Sequence, residues 1–304
     1  MVQLTVFTPT YNRIKLLQRC FEALQRQSSK DFLWLIIDDG SADDTGIVVE
    51  EWQKQIKSFE IRYVYKENGG LHTGYNKAIE LLDTELAMCV DSDDYLPDDA
   101  VERILNFWNK YGSDRYAGIV GLNCTSDGKV IGDPLPQQKS MNLIDLAIGK
   151  YPIQDGDRKN IIRSALYKAV APMQTYEGEK FFNPHYMHLE ISKKYDFLVL
   201  NENLCYVEYQ PGGMSDSIFL QYYNSPQSFS EIRKLALSFK GTSWVFRFRQ
   251  YIHYASSCYL AGKDLGLQDV NKFMLLLSWP LGGILSLVIR FKNRRKVALS
   301  TTKE

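Results

Sequence analysis

The stretch 86-LAMCVDSDDYL-96 sets a short apolar run against three carboxylates within four residues. Leu86, Ala87, Met88, Cys89 and Val90 read as a buried strand, and Asp91, Asp93 and Asp94 follow it at once. Like charges at this spacing raise one another's pKa unless something positive sits among them. A cation, an Arg or Lys, or solvent would answer that need.

The pattern upstream places this corner in a fold. Leu4–Thr8, Leu33–Ile37, Ile61–Tyr65, Leu86–Val90 and Ala117–Leu122 are apolar runs of strand length. Between them, helical spacing is predicted from Ile14 to Leu24 and over Thr45–Ile56, Leu71–Leu82 and Ala100–Tyr111. Strands alternating with helices of this length imply βαβ units, and so an α/β, Rossmann-like, mostly parallel sheet with helices on both faces. Residues 123–160 are turn-rich. A strand and a short helix are expected within 160–170, a helix from about Pro184 to Tyr195, and two strands at Leu198–Leu200 and Leu204–Tyr209. After 210-QPGGMSDS-217 the chain turns helical. Two domains are expected, residues 1–215 and a helical region 216–304.

The loops leaving the strands are polar: PTYNR, DDGSADD, ENGG and DSDD. In an open α/β sheet, ligands bind outside the carboxyl ends of the strands, so these loops meet on the binding edge. Asp at i and i+2 can aim two oxygen ligands at one point. Hard divalent cations take one or two such carboxylates and complete their shell with phosphate oxygens. Asp98 and Asp99, beside Pro97, are instead expected in the first turn of the next helix, where they favour its dipole. In 36-IIDDGSADDT-45, Ser41, Asp43 or Asp44 can cap the following helix. Asp38 or Asp39 would then accept a hydrogen bond from a base imide or a ribose hydroxyl. Tyr11 could stack on a base and Arg13 approach a phosphate. Asn68, Gly69 and Gly70 let backbone approach a ligand closely. His72 and Asn76 share one helical face.

The chain is 45% hydrophobic and 24% charged, an ordinary globular composition, and its net charge of +0 argues against nucleic-acid binding. The zero hides an asymmetry of about −8 over residues 1–239 and +8 over 240–296. A basic segment of this kind suits anionic lipid or another acidic partner. Five dispersed cysteines without a CxxC pair read as reduced core thiols of a cytosolic protein, and no signal peptide is expected after Met1. A sugar-nucleotide pyrophosphorylase would need a Gly-rich phosphate loop after the first strand, which PTYNR is not. An Asp-x-Asp phosphatase would place its acidic motif after the first strand, not the fourth.

Taken together, FTPTYNR, IIDDGSADDT, KENGGLHTGYNKAI and CVDSDDYL, in this order and spacing, resemble the family-2 glycosyltransferases with the GT-A fold. YEGEKFF and LVLNENLCYVEYQPGGMS resemble one bacterial branch of that family. The resemblance implies a nucleotide-diphospho-sugar donor, most often UDP-linked, a Mn²⁺ or Mg²⁺ ion, and inversion at the anomeric carbon. It implies that Thr8, Pro9, Tyr11 and Arg13 line the nucleotide pocket and that Asp39, with Asp38 as second choice, meets the base. Asp91 would sit by the ribose and Asp93 on the metal, with Asp91 the further metal candidate. Ser92, Asn68, Gly70 and Asn76 are counted with the donor residues. The branch leads one to expect an acidic general base in a Pro-Glu pair shortly after EGEK. Here 177-EGEKFFNPHYMHLEI-191 offers Asn183, Pro184 or His185 at that place. Glu179 is the favoured base, with Glu177 and His185 as alternatives. The altered base region also admits a catalytically weak or inactive sugar-nucleotide-binding partner protein.

Residues 273–289 form a 17-residue apolar stretch, between Lys272 and 290-RFKNRRK-296. A span needs roughly 20 apolar residues, and Pro280, Gly282 and Gly283 are expected to interrupt this one. Nucleotide sugars are cytosolic, and the cluster Arg290, Lys292, Arg294, Arg295 and Lys296 also favours the cytoplasmic side. A monotopic or re-entrant segment in the inner leaflet is expected, which would suit a glycan or lipid-linked acceptor.

Overall fold

A computed structural model describes residues 2–300 except 155, 211–212, 214–216 and 267–270, with the backbone alone for 294–300. In chain order the elements are β1 (Leu4–Thr10), α1 (Ile14–Arg26), β2 (Phe32–Asp38), α2 (Thr45–Gln55), β3 (Glu60–Tyr65), α3 (Leu71–Glu80), β4 (Leu86–Cys89) and α4 (Ala100–Tyr111). There follow β5 (Tyr116–Cys124), β6 (Ser140–Met141), α5 (Leu143–Ala147), β7 (Arg158–Arg163), α6 (Ser164–Val170), α7 (His185–Ser192) and β8 (Asp196–Tyr206). The chain ends in α8 (Ile218–Asn224), α9 (Pro226–Leu237), α10 (Trp244–Ala261) and α11 (Lys272–Ser300). It divides into two compact units, Met1–Met173 with Met187–Gln210, and Gln174–Tyr186 with Pro211–Glu304.

The first unit is an eight-stranded sheet in the order β3-β2-β1-β4-β7-β5-β8-β6. Every residue of β1 and β2 is buried, as expected of strands covered by helices on both faces. On one face Phe21 of α1 and Trp52 of α2 meet Trp34 of β2. The rings of Phe21 and Trp52 stack 4.2 Å apart. The sheet is more mixed than the sequence pattern implies. β1, β2, β3 and β4 pair in parallel, as do β5 and β8, but β7 enters antiparallel between β4 and β5, and β6 is antiparallel to β8. The two strands read at 198–200 and 204–209 are one strand, β8, with register shifts against β5 at Leu122. Asp98 and Asp99 precede α4 rather than enter its first turn. They pair with Arg26 and Arg103 at 3.0 and 2.8 Å.

β1 lies between β2 and β4, so the chain leaves β1 to one side first and to the other later. This is the topological switch point, where an α/β sheet opens a crevice at its carboxyl edge. The loops after β1 and β4 flank that crevice. The loop after β4 is also fastened to β8: Tyr95 and Tyr206 exchange backbone hydrogen bonds of 3.1 and 2.8 Å.

In the second unit α11 runs continuously through Pro280, Gly282 and Gly283, which sequence reasoning takes as an interruption. Gly282 serves packing. A Cβ on Gly282 would come within 2.5 Å of the Ala255 side chain and 2.8 Å of the Ser256 nitrogen on α10. The turn read at 210–217 lies largely outside the described residues, as do the side chains of Arg294, Arg295 and Lys296.

His253 on α10 faces the Tyr222 ring of α8. Burial lowers its pKa to about 4, helped by the Arg233 and Arg249 charges. The folded state therefore holds this imidazole neutral, while the unfolded chain protonates it near 6.5. Its contribution is complete above pH 6.5 and is lost as pH falls from there toward 4, a penalty of roughly 2–3 kcal/mol. His253→Gln is expected to flatten this part of a melting-temperature profile between pH 7 and 4.

Candidate active site

Two acidic loops stand at the carboxyl edge, and the chain treats them differently. The loop after β2 is closed upon itself. Asp38 accepts from Ser41 N–H at 2.7 Å and from the Tyr63 hydroxyl at 2.6 Å. Asp39 is the hub of the ENGG segment. It accepts from Gly69 N–H at 3.0 Å, Gly70 N–H at 2.8 Å and Asn68 Nδ2 at 3.1 Å, and pairs with the Lys66 ammonium. Gly40 makes this closure feasible. Its φ is +86°, and a Cβ there would lie 2.9 Å from the Asn68 nitrogen. Asn68 and Gly70, expected beside the donor, here donate to Asp39 and hold its carboxylate in place. Lys66 and Tyr63, the partners of the two carboxylates, do not stand out in the sequence.

The loop after β4 carries its charge more openly. The Arg13 guanidinium donates to Asp93 Oδ2 at 3.0 Å, across the crevice between β1 and β4. Both side chains are partly accessible, Arg13 at 35% and Asp93 at 17%. Asp94 N–H closes a turn onto the Asp91 carbonyl at 2.9 Å, and Ser92 is buried within it. The Cys89 thiol lies 3.6 Å from Asp91 Oδ1. Burial pushes the Asp94 carboxyl up to about 8. Lys159 opposes that shift, while Asp91 and Asp93 add to it. Burial raises Asp91 for the same reason, again against Lys159.

Lys159, on β7, is the internal cation of this corner. It is buried, and its ammonium donates to the Cys89 carbonyl at 3.1 Å. Burial alone would lower its pKa, yet the surrounding groups, Asp94 and Asp91 among them, hold it above the ordinary lysine value. The charge imbalance in DSDD signals that such a partner must exist. A single Lys in the strand 158-RKNIIR-163 does not say where it is.

The remaining candidates separate into open and committed groups. Tyr11 stands 48% exposed beside Asn12, whose φ of +52° makes the tight turn. Asn12 Oδ1 accepts from Ala42 N–H at 2.7 Å, which ties the PTYNR loop to the loop after β2. Pro9 is buried in β1, packed near Gly74 of α3. Thr8 does not line the crevice with its side chain. Its hydroxyl is fully buried and accepts from the Trp34 indole at 3.0 Å. Thr10, at the end of the same strand, has a buried hydroxyl with no hydrogen-bond partner among the described residues. Sequence reasoning missed it because one more Thr in a β-branched run carries no signal. Asn76 is spent on chain geometry: it accepts from Met173 N–H and donates to the Met173 carbonyl at 2.8 and 2.9 Å. His72 is buried in α3.

In the second unit, Glu179 is engaged at a helix start. Its carboxylate accepts from the N–H groups of Gln227 and Ser228, both at 2.8 Å, and from the Ser228 hydroxyl at 2.7 Å. It is the anionic cap of α9, satisfying donors that the first turn leaves open. Glu177 and His185 are exposed.

Asp91 and Asp93 supply hard oxygen donors two residues apart, at a place where burial makes added positive charge favourable, and so fit a divalent cation such as Mg²⁺ or Mn²⁺. Among the described residues no three His, Cys, Asp or Glu side chains converge on one point. A cation here would draw its other ligands from phosphate and water.

The Lys66–Asp39 pair is testable by itself. Lys66→Met leaves a buried carboxylate without its charge partner and is expected to destabilise the protein by about 3 kcal/mol. The double variant with Asp39→Asn should recover part of that loss, read as a coupling energy from denaturant unfolding.

The comparisons with known proteins agree with this architecture. The model of glycosyl transferase family 2 matches residues 5–160, just over half of the 304. A chondroitin synthase of Escherichia coli is 30% identical over 129 residues, 42% of this chain and 18% of that protein. A GalNAc(5)-diNAcBac-PP-undecaprenol beta-1,3-glucosyltransferase of Campylobacter jejuni is 32% identical over 126 residues, 41% of this chain and 38% of that protein. The chain thus spans less than two fifths of either relative. S. aureus TarS in complex with UDP-GlcNAc superposes with a TM-score of 0.61 at 19% identity, covering 91% of this chain and 79% of that one. A mannosyltransferase from Pyrobaculum calidifontis with GDP-Man and Mn²⁺ gives 0.56 at 15%, covering 98% and 80%. These two share the GT-A fold with it. The chain belongs to glycosyl transferase family 2.

Proposed function

We propose that this protein transfers a sugar from a nucleotide-diphospho-sugar, UDP-linked, to a hydroxyl of a glycan or lipid-linked acceptor. The transfer would invert the anomeric centre and take place on the cytoplasmic face of a membrane. The observation that carries this reading is the Arg13–Asp93 bridge across the switch-point crevice. It sets a guanidinium and a carboxylate where a diphosphate and its cation would lie. Family membership supports it, as do the UDP-GlcNAc complex of TarS and the Mn²⁺ complex of the Pyrobaculum enzyme.

In this reading Tyr11, exposed at the crevice, stacks on the base. A base imide reaches Asp39 only by taking a place now held by Gly70, Asn68 or Lys66. Asp93 and Asp91 would hold the divalent cation, which when bound would neutralise charge on the departing diphosphate. Arg13, in place of its bridge to Asp93, would offer its guanidinium to a phosphate oxygen. Lys159 keeps the loop's buried charge balanced in both states.

A single base must remove the acceptor proton. With the Glu179 oxygens committed to α9, Glu177 and His185 are the groups proposed for that task. The same commitment of Glu179 favours, as second reading, a partner protein that binds donor without transferring it. Slow donor hydrolysis in the presence of metal separates the two.

Asp93→Ala is expected to lower transfer or donor hydrolysis at least about a hundredfold, in line with loss of a charge-stabilising group. It should also abolish the Mn²⁺-dependent rise in melting temperature that a UDP-sugar produces with the parent protein. An unchanged rate overturns the metal assignment. For the base, Glu177→Gln and His185→Asn are compared in acceptor transfer and in donor hydrolysis. The base is the residue whose loss stops transfer while hydrolysis persists.

A further inference from the structure

Helix α11 is amphipathic in the inverse sense. The face toward its own unit consists of Ser278, Gly282, Ser286, Ile289 and Asn293, all buried. The opposite face carries Phe273, Leu276, Leu277, Ile284, Leu287 and Phe291, each more than half exposed. Small and hydroxyl-bearing residues inward with large apolar residues outward is the arrangement of helices whose surroundings are lipid. The inner contacts are close. Gly282 lies against the α10 backbone, the Ser278 and Ser286 hydroxyls return to the Leu275 and Gly283 carbonyls, and Asn293 donates to the Phe219 carbonyl of α8 at 3.0 Å.

By length and composition α11 qualifies as a crossing helix over Lys272–Asn293. Its packing excludes that role. One side of the helix is covered by this protein from Ser278 to Asn293. The covering helix α10 carries Arg247, Arg249, Gln250 and His253, and it packs on α9 with Arg233 bonded to Gln250 at 3.2 Å. Pulling α11 across a bilayer would drag these charges into hydrocarbon or strip the helix from its support. Only the outer stripe can enter lipid. The helix must therefore lie along the surface, over a length of about 27 Å between Phe273 and Phe291 at the usual helical rise.

We infer that the outer stripe of α11 is an in-plane membrane-binding face for a bilayer bearing anionic headgroups. Charge selects this occupant over a second copy of the chain. Arg290 and Lys292 are exposed beside the stripe, Lys272 precedes it, and residues 240–296 carry about +8. A self-paired stripe would bring two such clusters together, whereas anionic lipid neutralises them. The inference deepens the proposed function by naming the surface at which a lipid-linked acceptor would be met.

Flotation of the full chain with vesicles tests it. With phosphatidylcholine and phosphatidylglycerol the protein should rise with the vesicles. With phosphatidylcholine alone, partition should fall at least about tenfold. Leu276→Glu with Leu287→Glu should lower partition into the anionic vesicles at least about tenfold while the melting temperature stays within about two degrees, since both positions are exposed. A tag fused at the carboxyl end should remain open to protease added outside the vesicles. Protein that fails to float, a double variant that floats as well as the parent, or a protected tag each overturns the inference. So does a dimer in vesicle-free buffer that the double variant dissolves while the parent does not float. Donor hydrolysis by the double variant in vesicle-free buffer should equal the parent's, so failure of the membrane face and failure of the transferase reading are separate results.

Discussion

The structure depends on how three neighbouring carboxylates are kept at the carboxyl edge of β4. Asp91, Asp93 and Asp94 cannot all be ionised in a partly buried turn without positive charge nearby. The chain supplies it from two directions. Lys159 comes from within the sheet, on the antiparallel strand β7, and is fixed to the Cys89 carbonyl at the foot of the loop. Arg13 comes from the neighbouring loop and reaches only Asp93. The two cations differ in what they permit. Lys159 is buried and is part of the fold. Arg13 is partly solvated, and its side chain alone spans the crevice. The pair is partly accessible on both sides, so a ligand that brings its own charges can exchange for it.

That difference organises the edge. The loop after β2 is saturated: Asp38 and Asp39 between them take donors from Ser41, Tyr63, Lys66, Asn68, Gly69 and Gly70. It forms a firm wall on which the PTYNR loop rests through Asn12. The loop after β4 keeps carboxylate oxygen accessible. A crevice with one preorganised wall and one exchangeable ion pair suits a ligand that brings phosphate and cation together. Preorganised polar groups do not need to be reoriented when charge develops.

The first four strand–helix steps are legible in the sequence because each strand is a continuous apolar run bounded by turn residues, as strands buried on both faces must be. α4 falls on its expected residues. That the loops leaving these strands gather on one edge follows from that pattern, but the order β3-β2-β1-β4 does not. What is not legible depends on partners far apart in the chain. Nothing local marks Lys159 as the counter-charge of a loop that begins 70 positions earlier, at Cys89. Nothing local marks Asn76 as the brace of Met173. Glu179 looks like a base because it lies in an acidic segment near the expected place, yet its oxygens cap a helix that begins 47 positions later, at Pro226. β7 reads as a strand, but its antiparallel insertion beside β4 does not follow from the sequence. An isolated strand of six residues has the same pattern in either direction.

Helix α11 shows the same limit from another side. In sequence, Pro280, Gly282 and Gly283 suggest a broken segment, since proline removes a hydrogen bond and glycine weakens a helix. In the fold, Pro280 and Gly282 each have a place that removes the objection. Pro280 is exposed, so its ring strikes no neighbouring helix, and Gly282 sits where any side chain would strike α10. The close approach that glycine permits turns the small-residue face inward and leaves the large apolar residues outward. A glycine read as a breaker is therefore what fixes the rotation of the helix about its own axis. Rotated by half a turn, the same sequence would bury Leu276, Ile284 and Leu287 and expose the serines, and α11 would be an ordinary amphipathic helix. The apolar stripe faces outward because the backbone of α10 demands a glycine beside it.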